Sequence, residues 1–418
     1  HPEDRYQTVQ EMQADLEKVM HAARNNEPTA ERSITLIQRT RVSDRLKEGS
    51  RRWHVPAVVL ATLVVIGVIA LALFFPKKNS ALIPEDAQPK KVAGVDLKGE
   101  PILVGVLHSS SGTMADSEVP VARATLLAIE EINSEGGVLG RPVEAIEADG
   151  RSKAQVFREQ AEKLINEQEV CTVFGCWTSE SRKTLVPLFE DENHLLMYPV
   201  QYEGLEESPN VIYLGAAPNQ QILPAIDWAM DEIAEENKFF IVGSDYVFPR
   251  MAGEIIRDHV EEQGGEVVGE MYLPLGTHNV REVISEILRT QPDVILNTIN
   301  GGTNIPFFAE LREAGITPQE VPTVSFSIGE AELKKLDVET MAGDYAAWNY
   351  FQSIDSPENE EFIADFKKRW GAHEVVTDPM ESAYTGVKLW AAAVEDAQSI
   401  DPRSIRRSLR NSRGQGPG

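Results

Sequence analysis

The stretch ILVGVLHSSSGTMADSEVPVARATLLAIEEINSEGGVLGRPVEAIEA, Ile102 to Ala148, changes its hydrophobic pattern twice. The apolar run Ile102 to Leu107 predicts a strand, and Val143 to Ala148 predicts a second one. Between them, apolar residues recur every three or four positions, which predicts a helix. This order of strand, helix and strand is typical of a parallel sheet with helices on its faces.

The same alternation continues towards the C-terminus. Further strands are predicted at Val170 to Phe174, Phe239 to Val242, Glu266 to Tyr272, Val294 to Thr298 and Thr323 to Ser327. We therefore expect an α/β fold with two doubly wound parallel lobes, the first comprising about residues 101–217 and 355–418 and the second about 218–354. Ligands of such sheets lie at the carboxyl ends of the strands, so facing lobes would enclose a cleft there.

A long apolar segment precedes these lobes. Val55 to Phe75 contains 21 residues without a charged side chain, enough for a helix across the ~30 Å hydrocarbon layer. A buried core helix is the alternative, but apolar residues surround the whole helix axis. Six basic residues between Arg39 and Arg52 place the N-terminus in the cytoplasm. The sequence thus predicts a single-pass protein of the cytoplasmic membrane whose long segment is periplasmic or extracellular.

Charge and cysteine content exclude several functions. The net charge is −26, while residues 1–54 carry 10 basic and 9 acidic side chains, so the negative excess lies beyond the predicted span. Such an acidic domain repels nucleic acid. Cys171 and Cys176, five positions apart on a strand entering a loop, make a poor disulfide pair and, without nearby histidines, a poor zinc site. We expect no metal and no cofactor.

The first 20 residues form a separate segment. HPEDRYQTVQEMQADL, His1 to Leu16, resembles the C-terminal end of the catalytic domain of bacterial serine/threonine protein kinases. The resemblance implies that Arg5 pairs with a glutamate of an activation segment that this sequence lacks. Because the pattern begins abruptly and no kinase catalytic motif occurs, we expect a piece of a longer chain that is not itself an enzyme and has no catalytic residues. Residues 21–54 and 76–100 are then a juxtamembrane segment and a linker.

Four segments at predicted strand ends are rich in aromatic and hydroxyl side chains. They are GCWTSESRK (Gly175 to Lys183), YPVQYEGLE (Tyr198 to Glu206), GSDYVFPR (Gly243 to Arg250) and AAWNYFQSIDSPEN (Ala346 to Asn359). Here the chain resembles the substrate-binding proteins of urea and short-chain amide transporters, and the related amide sensors, of the type I periplasmic binding protein superfamily. The likeness extends from about Ile102 to Leu409 and implies a small neutral ligand held between hinged lobes.

The resemblance and the strand-end positions together indicate a set of ligand-binding residues. They are Trp177, Thr178, Ser179, Tyr198, Val200, Gln201, Asp245, Tyr246, Phe248, Glu330 and Trp348. Several have structural roles as alternatives: Ser179 and Asp245 as helix caps, Trp177 as a core residue, and Glu330 and Trp348 as surface or hinge residues. The amide sensors have a threonine where Val200 stands, which favours urea over acetamide.

Two functions follow from this organisation. The first is a receptor in which a urea or amide domain signals through one span to a serine/threonine kinase, with a homodimer expected by analogy. The second is a membrane-anchored substrate-binding component of a urea or amide ABC transporter. An amidase is disfavoured because no nucleophile and base set appears. The family continues past Leu409, whereas this chain ends RNSRGQGPG, so we also expect an incomplete first lobe.

Overall fold

The computed structural model describes residues 99–410 and 416–418. The predicted kinase end, juxtamembrane segment and membrane span, and nearly all of the predicted linker, lie outside these residues. Within them, no helix combines the length and the apolar character that crossing a bilayer requires.

The described strands form two five-stranded sheets, and every ladder within them is parallel. The first sheet has the order β2-β1-β3-β4-β5 and consists of β1 (Ile102–His108), β2 (Val143–Asp149), β3 (Val173–Gly175), β4 (Leu196–Tyr198) and β5 (Val211–Tyr213). The second has the order β10-β9-β8-β6-β7 and consists of β6 (Lys238–Ser244), β7 (Glu266–Leu273), β8 (Val294–Thr298), β9 (Thr323–Ser325) and β10 (Tyr345–Ala346).

Helices follow most of the strands. Along the chain they are α1 (Ala115–Ser134), α2 (Ala154–Asn166), α3 (Ser179–Asp191), α4 (Ile222–Glu232), α5 (Val247–Glu262), α6 (Arg281–Thr290), α7 (Asn304–Glu313), α8 (Glu330–Leu333), α9 (Pro357–Trp370), α10 (Asp378–Ala397) and α11 (Pro402–Leu409). The predicted α/β fold with two parallel sheets is therefore confirmed.

The first sheet and the helices packed on it, α1 to α3 and α9 to α11, are here called the first lobe. A single hydrophobic core runs through it and includes residues from α9, α10 and α11, so the chain returns to this lobe after building the second sheet. Trp390 of α10 illustrates the return, since its indole nitrogen donates to the Thr172 hydroxyl at 2.9 Å and its ring meets Phe174 edge-on.

The second sheet and α4 to α8 are called the second lobe. Successive side chains of a strand point to opposite faces, and here Phe240 and Val242 enter one buried cluster while Phe239 and Ile241 enter another. Both faces of the second sheet are thus covered. This explains why β6 is apolar at nearly every position instead of alternating with polar residues.

The two strand orders locate the points where a binding site can form. In the first sheet β1 lies between β2 and β3, and in the second β6 lies between β7 and β8. The connections that follow β1 and β3 therefore run towards opposite edges of the first sheet, and those that follow β6 and β8 run towards opposite edges of the second. A crevice opens at the carboxyl ends of such strands. A candidate site is therefore expected in the loops that follow these strands and their neighbours β4 and β9.

Some predicted strand ends need correction. The strand predicted from Val170 begins instead at Val173, and the one predicted to Ser327 ends at Ser325. Cys171 donates its backbone N–H to Leu103, so the chain already lies beside β1 before the regular ladder starts.

Candidate functional site

The loop after β3 depends on a glycine that nothing larger can replace. Gly175 has φ +149°, and a Cβ placed there would lie 2.1 Å from the carbonyl oxygen of Leu107 in β1. This close approach of two backbones turns the chain into α3. Thr178 caps that helix, its hydroxyl accepting the N–H of Ser181 at 3.2 Å. The helix cap suggested for Ser179 is thus made by its neighbour, and Ser179 is the first helical residue.

Ser179 contacts a group of charged side chains in which Arg182 and Glu203 are buried and Lys183 is exposed. Its hydroxyl donates to Glu203 Oε2 at 2.6 Å and accepts from Arg182 Nη1 at 3.0 Å. Arg182 also donates to Glu203 at 3.0 Å and to Glu206 at 2.8 Å, and Lys183 contacts both carboxylates. We call Arg182, Lys183, Glu203 and Glu206 the ion cluster. With two positive and two negative side chains, it is neutral as a whole.

Aromatic rings surround the ion cluster. The Arg182 guanidinium lies 4.8 Å from the ring centre of Tyr198 and 5.2 Å from that of Tyr202. Burial opposes the charge of Arg182, but Tyr198 and the two carboxylates raise its pKa above the usual value. Burial would likewise raise the pKa of Glu206, yet hydrogen bonds from Arg182 and Lys183 lower it to about 2. Arg182 and Glu206 therefore stay charged and paired with each other at neutral pH.

A second polar group joins the two lobes. We call Trp177, Gln201, Asn300 and Ser327 the polar bridge. The Trp177 indole N–H donates to Asn300 Oδ1 at 3.2 Å, and Asn300 Nδ2 donates to the Ser327 hydroxyl at 3.2 Å. Gln201 Nε2 donates to the Phe326 carbonyl at 3.1 Å and contacts the Ser327 hydroxyl at 3.4 Å. All four side chains are buried.

The polar bridge leaves one strong acceptor without a donor. Gln201 Oε1 is buried and has no hydrogen-bond partner among the described residues. His108 Nε2 and Ser110 Oγ, at the end of β1, share this condition. An unpaired buried acceptor costs about 1 to 3 kcal/mol. A donor placed against Gln201 Oε1 would remove this cost.

Tyr246 immediately precedes α5 of the second lobe and interacts electrostatically with residues of the first lobe. Burial, together with the nearby Tyr198 and Glu203, raises the pKa of its hydroxyl well above the usual range. The Tyr198 hydroxyl in turn donates to the Trp177 carbonyl at 2.6 Å and contacts the Gln201 carbonyl at 3.4 Å, which holds the loops after β3 and β4 side by side. Trp177, Ser179, Tyr198 and Gln201 thus belong to one region, and Tyr246 lies near enough for Tyr198 and Glu203 to affect its pKa.

Other predicted residues lie elsewhere or have structural partners. Val200 is buried in the first-lobe core and Phe248 in the second. Asp245 is exposed and forms an ion pair with Arg250 at 2.6 Å, which also lowers its pKa.

Glu330 and Trp348 lie near the segment that crosses back to the first lobe. Glu330 Oε1 accepts the Gln352 backbone N–H at 2.8 Å, and the Trp348 indole donates to the Ile328 carbonyl at 2.7 Å. Both side chains thus have a backbone hydrogen-bond partner in this segment.

Sequence reasoning missed Asn300, Ser327 and Glu203 as site residues. Asn300 and Ser327 follow the apolar strands β8 and β9 directly, so the strand-end rule that selected Ser179 could have found them. Glu203 lay within a quoted motif, but its contact with Ser179 joins two segments separated along the chain. Only the fold brings these residues together.

The carboxylates at the first-lobe edge have partners of their own. Glu118 accepts the Ser109 N–H at 2.9 Å and lies 3.2 Å from His108 Nδ1. Asp149 accepts the backbone N–H of Ser110 at 2.9 Å. The two parallel sheets and the paired polar groups between them define the class of two-lobed α/β proteins.

Comparison with known proteins agrees with this class. A family described as periplasmic binding protein domain matches residues 102–418. The chain therefore belongs to the periplasmic binding protein family. It is similar to Leu/Ile/Val-binding protein homolog 7 of Brucella suis, with 22% identity over 339 residues, covering 76% of this chain and 83% of that protein.

Solved structures share the fold. A solute-binding protein of an ABC transporter from R. palustris, in complex with 4-hydroxybenzoate, has a TM-score of 0.68 at 22% identity, covering 76% of this chain and 87% of that one. The branched-chain amino acid transporter substrate-binding protein LivJ from Streptococcus pneumoniae, in complex with isoleucine, has a TM-score of 0.66 at 18% identity, covering 74% and 88%. Residues 102–418 thus share the fold of these solute-binding proteins.

Proposed function

We propose that the two lobes bind urea or a short-chain amide and that the chain couples this binding, through the predicted span 55–75, to a serine/threonine protein kinase. The observation that carries the ligand assignment is the buried, unpaired Gln201 Oε1 at the boundary of the lobes. An acceptor in this position calls for an N–H group, which both ligands possess.

Charge balance supports a neutral ligand. A free amino acid or a benzoate brings a carboxylate, and burying that charge is costly unless it meets several hydrogen-bond donors or an unpaired cation. At this edge the Arg182 guanidinium is already paired with Glu203 and Glu206. The sequence resemblance to urea and amide binding proteins points to the same ligands.

Isothermal titration of the 418-residue chain tests the ligand assignment. We expect heat of binding with urea or acetamide, and none with leucine or 4-hydroxybenzoate, the ligand types suggested by the names of its relatives. Binding of leucine or 4-hydroxybenzoate alone would contradict the proposal.

Delivery of the ligand to a membrane permease is a second candidate function. It is favoured by the relatives, which include solute-binding proteins of ABC transporters. The kinase coupling is tested separately by determining the coding sequence upstream of His1 and measuring phosphorylation by the whole product with and without urea. A complete kinase domain whose activity changes with urea supports the receptor, and its absence supports transport.

A further inference from the structure

The Ser179 hydroxyl has a fixed hydrogen-bond direction. A serine hydroxyl has one proton to donate and two lone pairs to accept with. Here the proton is directed to Glu203 Oε2 at 2.6 Å, and one lone pair accepts from Arg182 Nη1 at 3.0 Å. What remains available is a single acceptor position.

This direction cannot be reversed within the folded protein. A guanidinium has no acceptor atom, so the Ser179 proton cannot turn towards Arg182. Glu203 is only 3% exposed and Arg182 is fully buried, so water does not replace either contact. Glu206 and the rings of Tyr198 and Tyr202 hold the guanidinium in place.

Gln201 is constrained in the same way. The Phe326 carbonyl can only accept, so the Gln201 side-chain nitrogen must face it, and Oε1 must point away. The segments carrying Ser179 and Gln201 are held side by side by the Tyr198 hydroxyl, which contacts the carbonyls of Trp177 and Gln201. The Ser179 oxygen and Gln201 Oε1 therefore lie on neighbouring loops, and each is available only as a hydrogen-bond acceptor.

We propose that Arg182 and Glu203 are positioning residues that make Ser179 an obligate acceptor, so that with Gln201 the site selects ligands carrying two separate N–H groups. Urea carries an NH₂ on each side of its carbonyl, whereas acetamide has a methyl group in place of one of them. The site is therefore specific for the urea class over simple primary amides. This inference rests on the proposed ligand-binding function and specifies its substrate class.

The wild-type chain gives the first test. Urea and acetamide have nearly the same size, so titration compares them without a change of shape. We expect urea to bind at least about tenfold more tightly, because acetamide leaves one buried acceptor unpaired. Equal affinity, or tighter binding of acetamide, overturns this inference but leaves the proposed function standing. Binding of neither ligand overturns both.

Two matched variants test the positioning role. In Glu203→Gln the new carboxamide nitrogen can donate to Ser179, which frees the serine proton, so we expect the urea to acetamide affinity ratio to fall about fivefold or more. Glu190→Gln weakens a comparable bond, from the Ser208 hydroxyl to Glu190 Oε1 at 2.7 Å, but lies outside the ion cluster and does not touch Ser179, so its ratio should stay that of the wild type. If Glu203 had only a structural role, the two variants would change the urea to acetamide affinity ratio alike, and that result overturns the inference.

Ser179→Ala keeps the test decisive if Glu203→Gln does not fold, as judged by circular dichroism. It removes the acceptor directly and leaves the ion cluster in place. We expect urea affinity to fall about tenfold while acetamide affinity changes much less. An equal loss for both ligands contradicts the inference.

Discussion

Gln201 connects the hydrogen-bond pattern of the lobe boundary to the choice of ligand. Its nitrogen donates to the second lobe and its oxygen is buried without a partner among the described residues. Gln201→Met removes the acceptor at similar volume, so we expect urea affinity to fall about tenfold or more, measured by isothermal titration.

Gln221 offers the matched control for that variant. It is also buried and donates to the same Phe326 carbonyl at 3.1 Å, but its oxygen is not among the unpaired acceptors. Gln221→Met should leave urea affinity within about threefold of the wild type. Equal losses in the two variants would show that contact between the lobes, and not the Gln201 acceptor, determines affinity.

Gly175 determines whether the loop after β3 can form at all. In Gly175→Ala the added methyl group meets the Leu107 carbonyl, and φ +149° is strained for alanine. We expect a loss of about 2 to 4 kcal/mol in the free energy of unfolding. Guanidinium chloride is the suitable denaturant, because urea is the proposed ligand. Gly302→Ala, where the new methyl group meets nothing within 4 Å, should change stability by less than about 0.5 kcal/mol.

The N-terminus of α10 is hydrogen-bonded to the segment that joins the lobes. Asp378 Oδ2 accepts the backbone N–H groups of Asn349 and Tyr350 at 3.0 and 2.9 Å. Burial, and next the charge of Glu381, raise the pKa of Asp378 from 3.8 to about 7. The folded protein therefore holds a proton that the unfolded chain releases. The resulting stabilisation is complete below about pH 4 and is lost as the pH rises through about 7.

Asp378→Asn tests this dependence. Asparagine keeps an oxygen acceptor for both N–H groups and does not ionise. We expect wild-type stability to fall by about 1 to 3 kcal/mol more than that of the variant between pH 5 and pH 8, measured by guanidinium denaturation. The exposed Asp355 supplies the control, since Asp355→Asn should retain the wild-type slope. Parallel slopes for wild type and Asp378→Asn would contradict the assignment.

Element by element, strands that lie within longer runs of apolar and β-branched residues were predictable, and isolated short strands were not. Val294–Thr298 was predicted with its exact bounds because both faces of β8 are buried. β3 and β9 have only three residues each but overlap longer predicted runs. β4, β5 and β10 were missed, since they have three, three and two residues and no such run around them. They form because longer neighbours offer hydrogen-bond partners, which is a property of the sheet and not of the segment.

The residues of the candidate site likewise divide into those that could be predicted and those that could not. Ser179 could be selected from its position after a predicted strand, and Tyr198 and Gln201 could be selected from the resemblance to the urea and amide binding proteins. Asn300 meets Trp177 only because two separate sheets face each other, and no local pattern of either segment contains that information. Asp245 was also selected as a strand-end residue, but its carboxylate pairs with Arg250 of the helix that follows it.

At the scale of the whole molecule, ligand binding should be coupled to the approach of the lobes. Asn300 bonds to Trp177 of the first lobe and Ser327 of the second, so Asn300→Ala weakens the polar bridge. We expect saturating urea to reduce the radius of gyration of the wild type in small-angle X-ray scattering, and Asn300→Ala to bind urea at least tenfold more weakly.

Asn133→Ala is the control for closure. Asn133 makes two hydrogen bonds to Val143 within the first lobe, so its loss lowers stability without touching the boundary. The compaction with urea should persist in this variant. No compaction in the wild type, or its loss in Asn133→Ala alone, would contradict the coupling.

A crystal structure of the chain grown with urea tests the central claim most directly. We predict urea between the lobes, with one NH₂ group donating to Gln201 Oε1 and the other to the Ser179 hydroxyl, and with Arg182 still paired to Glu203. Urea bound elsewhere, or an empty cleft at urea concentrations that saturate binding in solution, would contradict the account.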